Sequence, residues 1–203
     1  MTTKFATLNG LIDLATIETE LTVIDVRLIA NGLARLERWG RQTPLPYSVA
    51  QHSVMVAEQL PPAARIYGLL HDAHEFIIGD ETWPVEVAKG ELLFGAPGDE
   101  DSLTPYSRTL KIFKERLDTG IRLALGVPAP AMEIRALVHE ADLRMAATEW
   151  GQLVPPVNGR CPVGAAPYPR VSGIKCWPWE KALDRYAQAL ERELATKSWK
   201  EAA

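Results

Sequence analysis

Apolar residues recur along most of the chain at steps of three and four, the spacing of one helical face. Over 24–36 the positions Ile24, Leu28, Ile29 and Leu33 predict an amphipathic helix, and Pro44 and Pro46 then break the chain. A second helix is expected from Ser48, with Val49, Val56 and Leu60 as its buried edge. Ser48 and Gln51 fit the S-x-x-Q capping box, in which each side chain satisfies the other's backbone N–H. A third runs from Pro61-Pro62 to Gly79 on the stripe Ile66, Leu69, Leu70, Ala73 and Ile77. The loop over 80–89 turns helical at Pro84, and 90–104, with Gly95, Pro97, Gly98, Asp99, Glu100 and Asp101, reads as a mobile surface loop.

Three more helices complete the pattern. One spans 104–125, with Thr104-Pro105 as cap and first position and Leu110, Phe113, Leu117, Ile121 and Leu125 on its stripe. The next spans 131–150 on Ile134, Leu137, Val138, Ala141 and Met145. The last spans 178–195 on Leu183, Tyr186, Leu190 and Leu194, with Trp177 and Trp179 anchoring it or meeting a partner subunit. A Pro- and Gly-rich connection fills 151–176, and 1–23 stays unassigned apart from a turn at Asn9-Gly10. The fold class expected is all-α, a single domain over 1–203.

Composition narrows the function classes. A chain of 203 residues, 47% hydrophobic and 24% charged, can bury a sizeable core as an ordinary soluble protein. A net charge of −4 argues against a nucleic-acid polymer as partner, yet leaves room for a nucleotide, which needs only local cations. No apolar run is long enough to span a bilayer, and Met1-Thr2-Thr3-Lys4-Phe5 lacks the form of a signal peptide. A cytoplasmic location without membrane attachment is therefore expected, with Cys161 and Cys176 as free thiols.

The chemistry concentrates in Gly68-Leu69-Leu70-His71-Asp72-Ala73-His74-Glu75-Phe76-Ile77-Ile78-Gly79-Asp80. On a continuous helix His71, Asp72 and Glu75 point to one side. Ionisable groups beside an apolar stripe are costly unless they are paired or bind a cation, so a metal site is the first hypothesis. His52 lies just past the first turn of its helix, and Asp142 sits beside the core stripe of another. His74 and His139 are turned away from their neighbours by helical register and are read as non-ligands. Arg41, Lys111 and Lys114 default to solvated charges.

His52, then His71-Asp72, then Asp142 form the H…HD…D order that resembles the HD-domain metal-dependent phosphohydrolases. The sequence His71-Asp72-x-x-Glu75, Gly79-Asp80 and Pro84-Val85, with Arg38-Trp39 upstream, is similar to bacterial 5′-deoxynucleotidases. Gly32-Leu33-Ala34-Arg35, Arg38-Trp39-Gly40, Gln42-Thr43 and Tyr47-Ser48-Val49-Ala50-Gln51-His52-Ser53 are similar to short bacterial HD hydrolases and phage dATP triphosphohydrolases. The resemblance covers roughly 24–150.

That resemblance implies four metal ligands: His52, His71, Asp72 and Asp142. Such a mixed N/O set suits Zn²⁺, Co²⁺, Mn²⁺, Ni²⁺ or Fe²⁺ better than Ca²⁺ or Mg²⁺, with one ion or more. Glu75 is the expected general acid or base, and Asp80 is expected to hold a water, a substrate hydroxyl or a second ion. Arg38 would neutralise phosphate and Trp39 would pack on sugar or base. Relatives often carry Lys after the residue matching Val85; here Glu86 stands there, and Lys89, one turn on, is the replacement cation.

The expected substrate is a small deoxynucleotide and the expected assembly a homo-oligomer. A dNTP triphosphohydrolase of the dATP type is favoured over a 5′-deoxynucleotidase acting on dNMPs. A cyclic or linear dinucleotide phosphodiesterase, a di-iron oxygenase and a non-catalytic nucleotide sensor are the further alternatives. The non-functional reading of the four ligands is a buried hydrogen-bonded network.

Overall fold

The computed structural model describes residues 2–17, 23–95, 104–154, 161 and 163–201. Among these residues the fold is mostly helical, with one small sheet. That sheet, β1 (Lys4–Thr7) paired antiparallel with β2 (Gly10–Asp13), departs from the all-α expectation. The turn foreseen at Asn9-Gly10 closes it, and Gly10 takes φ +136°, which suits glycine. Four-residue strands are too short to leave a clear period in sequence. The hairpin is held by tertiary contacts instead: Ile12 is fully buried, and Asn9 Nδ2 donates to Val23 O and Asp25 Oδ2.

Among the described residues eight α-helices follow: α1 (Val26–Ala34), α2 (Val49–Glu58), α3 (Pro62–Leu70), α4 (Glu75–Ile78), α5 (Trp83–Phe94), α6 (Pro105–Leu125), α7 (Met132–Leu153) and α8 (Trp179–Thr196). Asp25 caps α1 by accepting from the Leu28 N–H, and Thr104 caps α6 by accepting from Ser107, with Pro105 in the first turn as expected. α5 continues to Phe94, further than the loop expected from residue 90, and the rest of that loop (Pro97 to Asp101) lies outside the described residues.

α8 packs across α1, α2 and α3, while α3 packs on α2 and α7. Leu33, Val49, Ile66, Leu69, Met145, Tyr186 and Leu190 form the centre of this core. The α7 stripe runs through Ile134, Val138, Ala141 and Met145 as expected, but Leu137 is 41% exposed. It precedes Val138 by one residue and so sits about 100° round the helix. α6 buries Leu117 and Ile121, while Leu110, Phe113 and Leu125 are only half-buried. The single continuous helix expected over 62–79 is instead two, α3 and α4, separated by turns at 71–74. Among the described residues no helix is long and apolar enough to cross a membrane, and Cys161 and Cys176 are unpaired.

Candidate metal centre

The break between α3 and α4 builds the site. The last carbonyls of a helix have no intrahelical partner. Here the Ala73 N–H reaches Leu70 O at 3.1 Å, the Tyr186 hydroxyl donates to Leu69 O at 2.7 Å, and His71 Nδ1 donates to Gly68 O at 2.8 Å. A carbonyl only accepts, so Nδ1 of His71 carries the proton and Nε2 presents a lone pair.

His52 comes from the first half of α2. The Ser48 hydroxyl accepts from the Gln51 N–H at 3.2 Å, half of the expected capping box. The other half does not form. The Gln51 amide instead donates to Lys175 O at 2.9 Å and accepts from the Trp177 N–H at 2.7 Å, tying α2 to the segment before α8. That segment is further held by Arg35, stacked 4.1 Å over the Trp179 ring.

His52 is fully buried. Its Nδ1 donates to Glu149 Oε1 at 2.6 Å, which leaves Nε2 unprotonated in the neutral ring. The two Nε2 atoms of His52 and His71 lie 3.3 Å apart. Asp142 Oδ1 is 3.0 Å from the first and 3.7 Å from the second. Asp72 Oδ2 is 3.1 Å from His71 Nε2 and 3.8 Å from His52 Nε2. The four side chains expected as ligands therefore converge, from α2, the turn after α3, and α7. His52, His71 and Asp72 offer donor atoms all within 4.8 Å of one another and could hold a metal ion.

Lone pairs facing lone pairs are unstable unless a cation or protons lie between them. The electrostatics of the group run the same way. Burial pushes both imidazoles down, with Arg38 also lowering His52, but the carboxylates outweigh this and both rings sit above their usual value. Asp72 and Asp142 resist burial because the histidines hold them below the usual carboxylate range.

Glu149 is the residue that sequence reading missed. It is fully buried on α7 and accepts from His52 Nδ1, Tyr47 OH at 2.7 Å and Trp39 Nε1 at 3.1 Å, with Arg38 Nε 3.5 Å away. Burial raises its carboxyl, but the His52 and Arg38 charges prevail and hold it below its usual value. A carboxylate behind an imidazole fixes the tautomer and raises the basicity of the ligand nitrogen. A signal was present: Glu149 lies seven residues after Asp142, two turns along the same face of α7, four after the buried Met145.

Arg38 sits behind the ligands, donating from Nη1 to Asp72 Oδ2 at 3.1 Å. Trp39 gives its N–H to Glu149 and its ring to Trp150, edge-on at 5.7 Å. It adopts φ +59°, uncommon for a bulky residue, in a left-handed turn with Gly40 and Arg41. Glu75 lies at the start of α4, and its Oε2 is enclosed without a hydrogen-bond partner among the described residues. Burial, then the charges of Asp72 and Asp80, push its carboxyl well above the usual value.

Asp80 faces a neighbouring cleft of about 560 Å³ lined also by Tyr106, Leu110 and Phe113, and burial raises its carboxyl. Lys89 lines that cleft too, half-exposed and ion-paired with Glu81. The structure does not bring it to the ligand group. His74 is buried and pairs through Nδ1 with Asp118 at 2.9 Å, and His139 is exposed and lines a second cleft together with His71, Asp72 and Asp142.

No protein-family model matches the chain. An uncharacterised protein of Rhodobacter capsulatus is 33% identical over 141 residues, covering 64% of this chain and 63% of the relative. The match thus spans less than two thirds of that relative's length, and its description assigns no activity.

Proposed function

We propose that the protein is an HD-type, metal-dependent phosphohydrolase that acts on deoxynucleotides and releases triphosphate from dNTPs. One observation carries the reading. Two Nε2 lone pairs stand 3.3 Å apart, both rings locked by Nδ1–H donation, with two carboxylates converging on them. This N₂O₂ set fits a divalent transition metal such as Zn²⁺, Co²⁺ or Mn²⁺. When bound, the ion supplies Lewis-acid activation of a phosphoryl oxygen and acidifies a water.

The chain's own residues do the rest. Glu149 and Gly68 O hold the ligand rings in one tautomer. Arg38 keeps Asp72 ionised and adds positive charge behind the phosphoryl site. Glu75, whose carboxyl burial and the charges of Asp72 and Asp80 push well above the usual value, donates a proton to the leaving 5′-oxygen as the P–O5′ bond breaks and water adds to phosphorus, the proton lost by that water returning to the Glu75 carboxylate. Deoxynucleoside and inorganic triphosphate are the products.

Incubating metal-loaded protein with dNMPs and dNTPs, and identifying the phosphate species released, tests this. Triphosphate accompanied by deoxynucleoside supports it. Consumption of monophosphates alone replaces it with a 5′-nucleotidase, and binding without turnover of either replaces it with a sensor.

A further inference from the structure

The ester bond broken is the same whether the substrate carries one phosphate or three, so the ligand group cannot separate the two. Space and cations for two more phosphates can. A cleft of about 490 Å³ opens from His71, Asp72 and Asp142 between α6 and α7. α7 lines it with Arg135, His139 and Asp142, at steps of four and three on one face. At 1.5 Å per residue the row extends roughly 10 Å from the ligand end outward. α6 contributes Arg122.

The commitments of the nearby cations differ. Lys89 is paired with Glu81, and Lys114 lies 3.8 Å from Glu86. Arg122 donates only to Thr119 Oγ1 at 3.2 Å, and Arg135 only to Pro130 O at 3.2 Å, so neither is paired with a carboxylate among the described residues. Beyond the ligand group the cleft is lined by two carboxylates of α6, Asp118, which is engaged by His74, and the exposed Glu115, seven residues before Arg122. Burial lowers the Arg122 guanidinium against the pull of Asp118, and the Arg135 charge lowers it further. Two arginines that repel each other beside an open cleft leave their donors free for an anion.

We propose that this cleft is a polyphosphate subsite, in which Arg122 and Arg135, with His139 on the same wall, hold the phosphates beyond the one at His52, His71, Asp72 and Asp142. The subsite rests on the phosphohydrolase reading above and places the nucleoside toward the Asp80 cleft, where Tyr106 and Phe113 offer aromatic surface.

The test is calorimetric titration of inorganic tripolyphosphate, and separately orthophosphate, into metal-loaded wild type, Arg122→Gln and Arg135→Gln, with metal content read afterwards. Arg135 is exposed, so its variant folds even if the half-buried Arg122 proves less tolerant. Each substitution is expected to weaken tripolyphosphate binding about tenfold, by loss of charge-assisted hydrogen bonds, with orthophosphate binding and metal content unchanged. Tripolyphosphate binding equal in all three proteins, or no tighter than orthophosphate in wild type, overturns the subsite. Triphosphate release from dNTPs with such arginine-independent binding overturns the subsite alone. Arginine-dependent binding without release from any deoxynucleotide upholds the subsite and overturns the reaction.

Discussion

Glu149 stands directly behind His52, its Oε1 2.6 Å from Nδ1, with both side chains fully buried. The same carboxylate collects Tyr47, Trp39 and, at 3.5 Å, Arg38, so one charge organises the inner wall of the ligand group. Glu149→Gln keeps the shape but loses the charge that sets the His52 tautomer. Metal affinity is expected to fall about 10- to 100-fold, read by competition with a chelating indicator. Glu149→Ala should also cost about 3–5 kcal/mol of stability in denaturant unfolding, because it leaves Arg38 buried with less compensation. Wild-type metal affinity in the glutamine variant would remove Glu149 from the centre.

His71 and Glu75 should separate metal binding from turnover. His71→Ala is expected to lose the metal, measured by elemental analysis after desalting. Glu75→Gln should retain it and lose about 10²- to 10⁴-fold in kcat, the contribution of a positioned proton donor. Metal loss in the Glu75 variant would make that residue a ligand instead.

The two basic residues singled out in the sequence should behave differently. Arg38→Lys keeps a charge but cannot reach Asp72 and Glu149 together, and turnover is expected to drop about tenfold or more. Lys89→Ala breaks only the exposed pair with Glu81, so kcat and KM should stay near wild type. A large KM increase for Lys89→Ala would restore it as a phosphate contact.

Stability of the metal-free protein should depend on pH in a direction set by the ligands. His52 and His71 are raised above the ordinary 6.5. Their contribution is complete below that value and is lost as pH rises through the higher folded value. Glu75, raised above 4.5, acts in the same direction, since its ionisation in place is costly. Asp72, Asp142 and Glu149, held low, lose their contribution only on the acid side, as pH falls below their ordinary values through the folded ones. Metal-free protein is therefore expected to lose Tm as pH rises above the ordinary histidine value of 6.5, with Zn²⁺ or Mn²⁺ restoring it more on the alkaline side than below that value. A metal-induced Tm shift that is flat across this rise in pH would refute the assignment.

Gly32 lets α1 approach α4. A Cβ at this position would lie 2.6 Å from Phe76 Cβ and 3.3 Å from its Cα. Gly32→Ala should cost about 1–3 kcal/mol by overpacking. Because Phe76 follows Glu75, kcat should fall with stability, while metal content stays unchanged. A variant with lowered Tm and unaltered kcat would show that α4 yields without moving Glu75.

Helical periodicity determined most of the fold before any coordinates. Leu28, Ile29, Leu33, Val49, Val56, Tyr186 and Leu190 occupy the buried faces assigned to them, since one-sided burial imposes a 3.6-residue period that composition cannot hide. The resemblance to HD-domain phosphohydrolases singled out His52, His71, Asp72 and Asp142 as a set, and the fold brings them together. What periodicity could not show was where a helix stops. His71 to His74 keep apolar spacing around them, yet the backbone leaves the helix there because a side chain and a distant tyrosine satisfy the freed carbonyls. The same limit hid Glu149, Trp150 as partner of Trp39, and the uncommitted state of Arg122 and Arg135. Each depends on partners remote in sequence, 97 residues away for His52 and Glu149, and only tertiary packing, such as that of α2 against α7, decides which charges meet and which are left free.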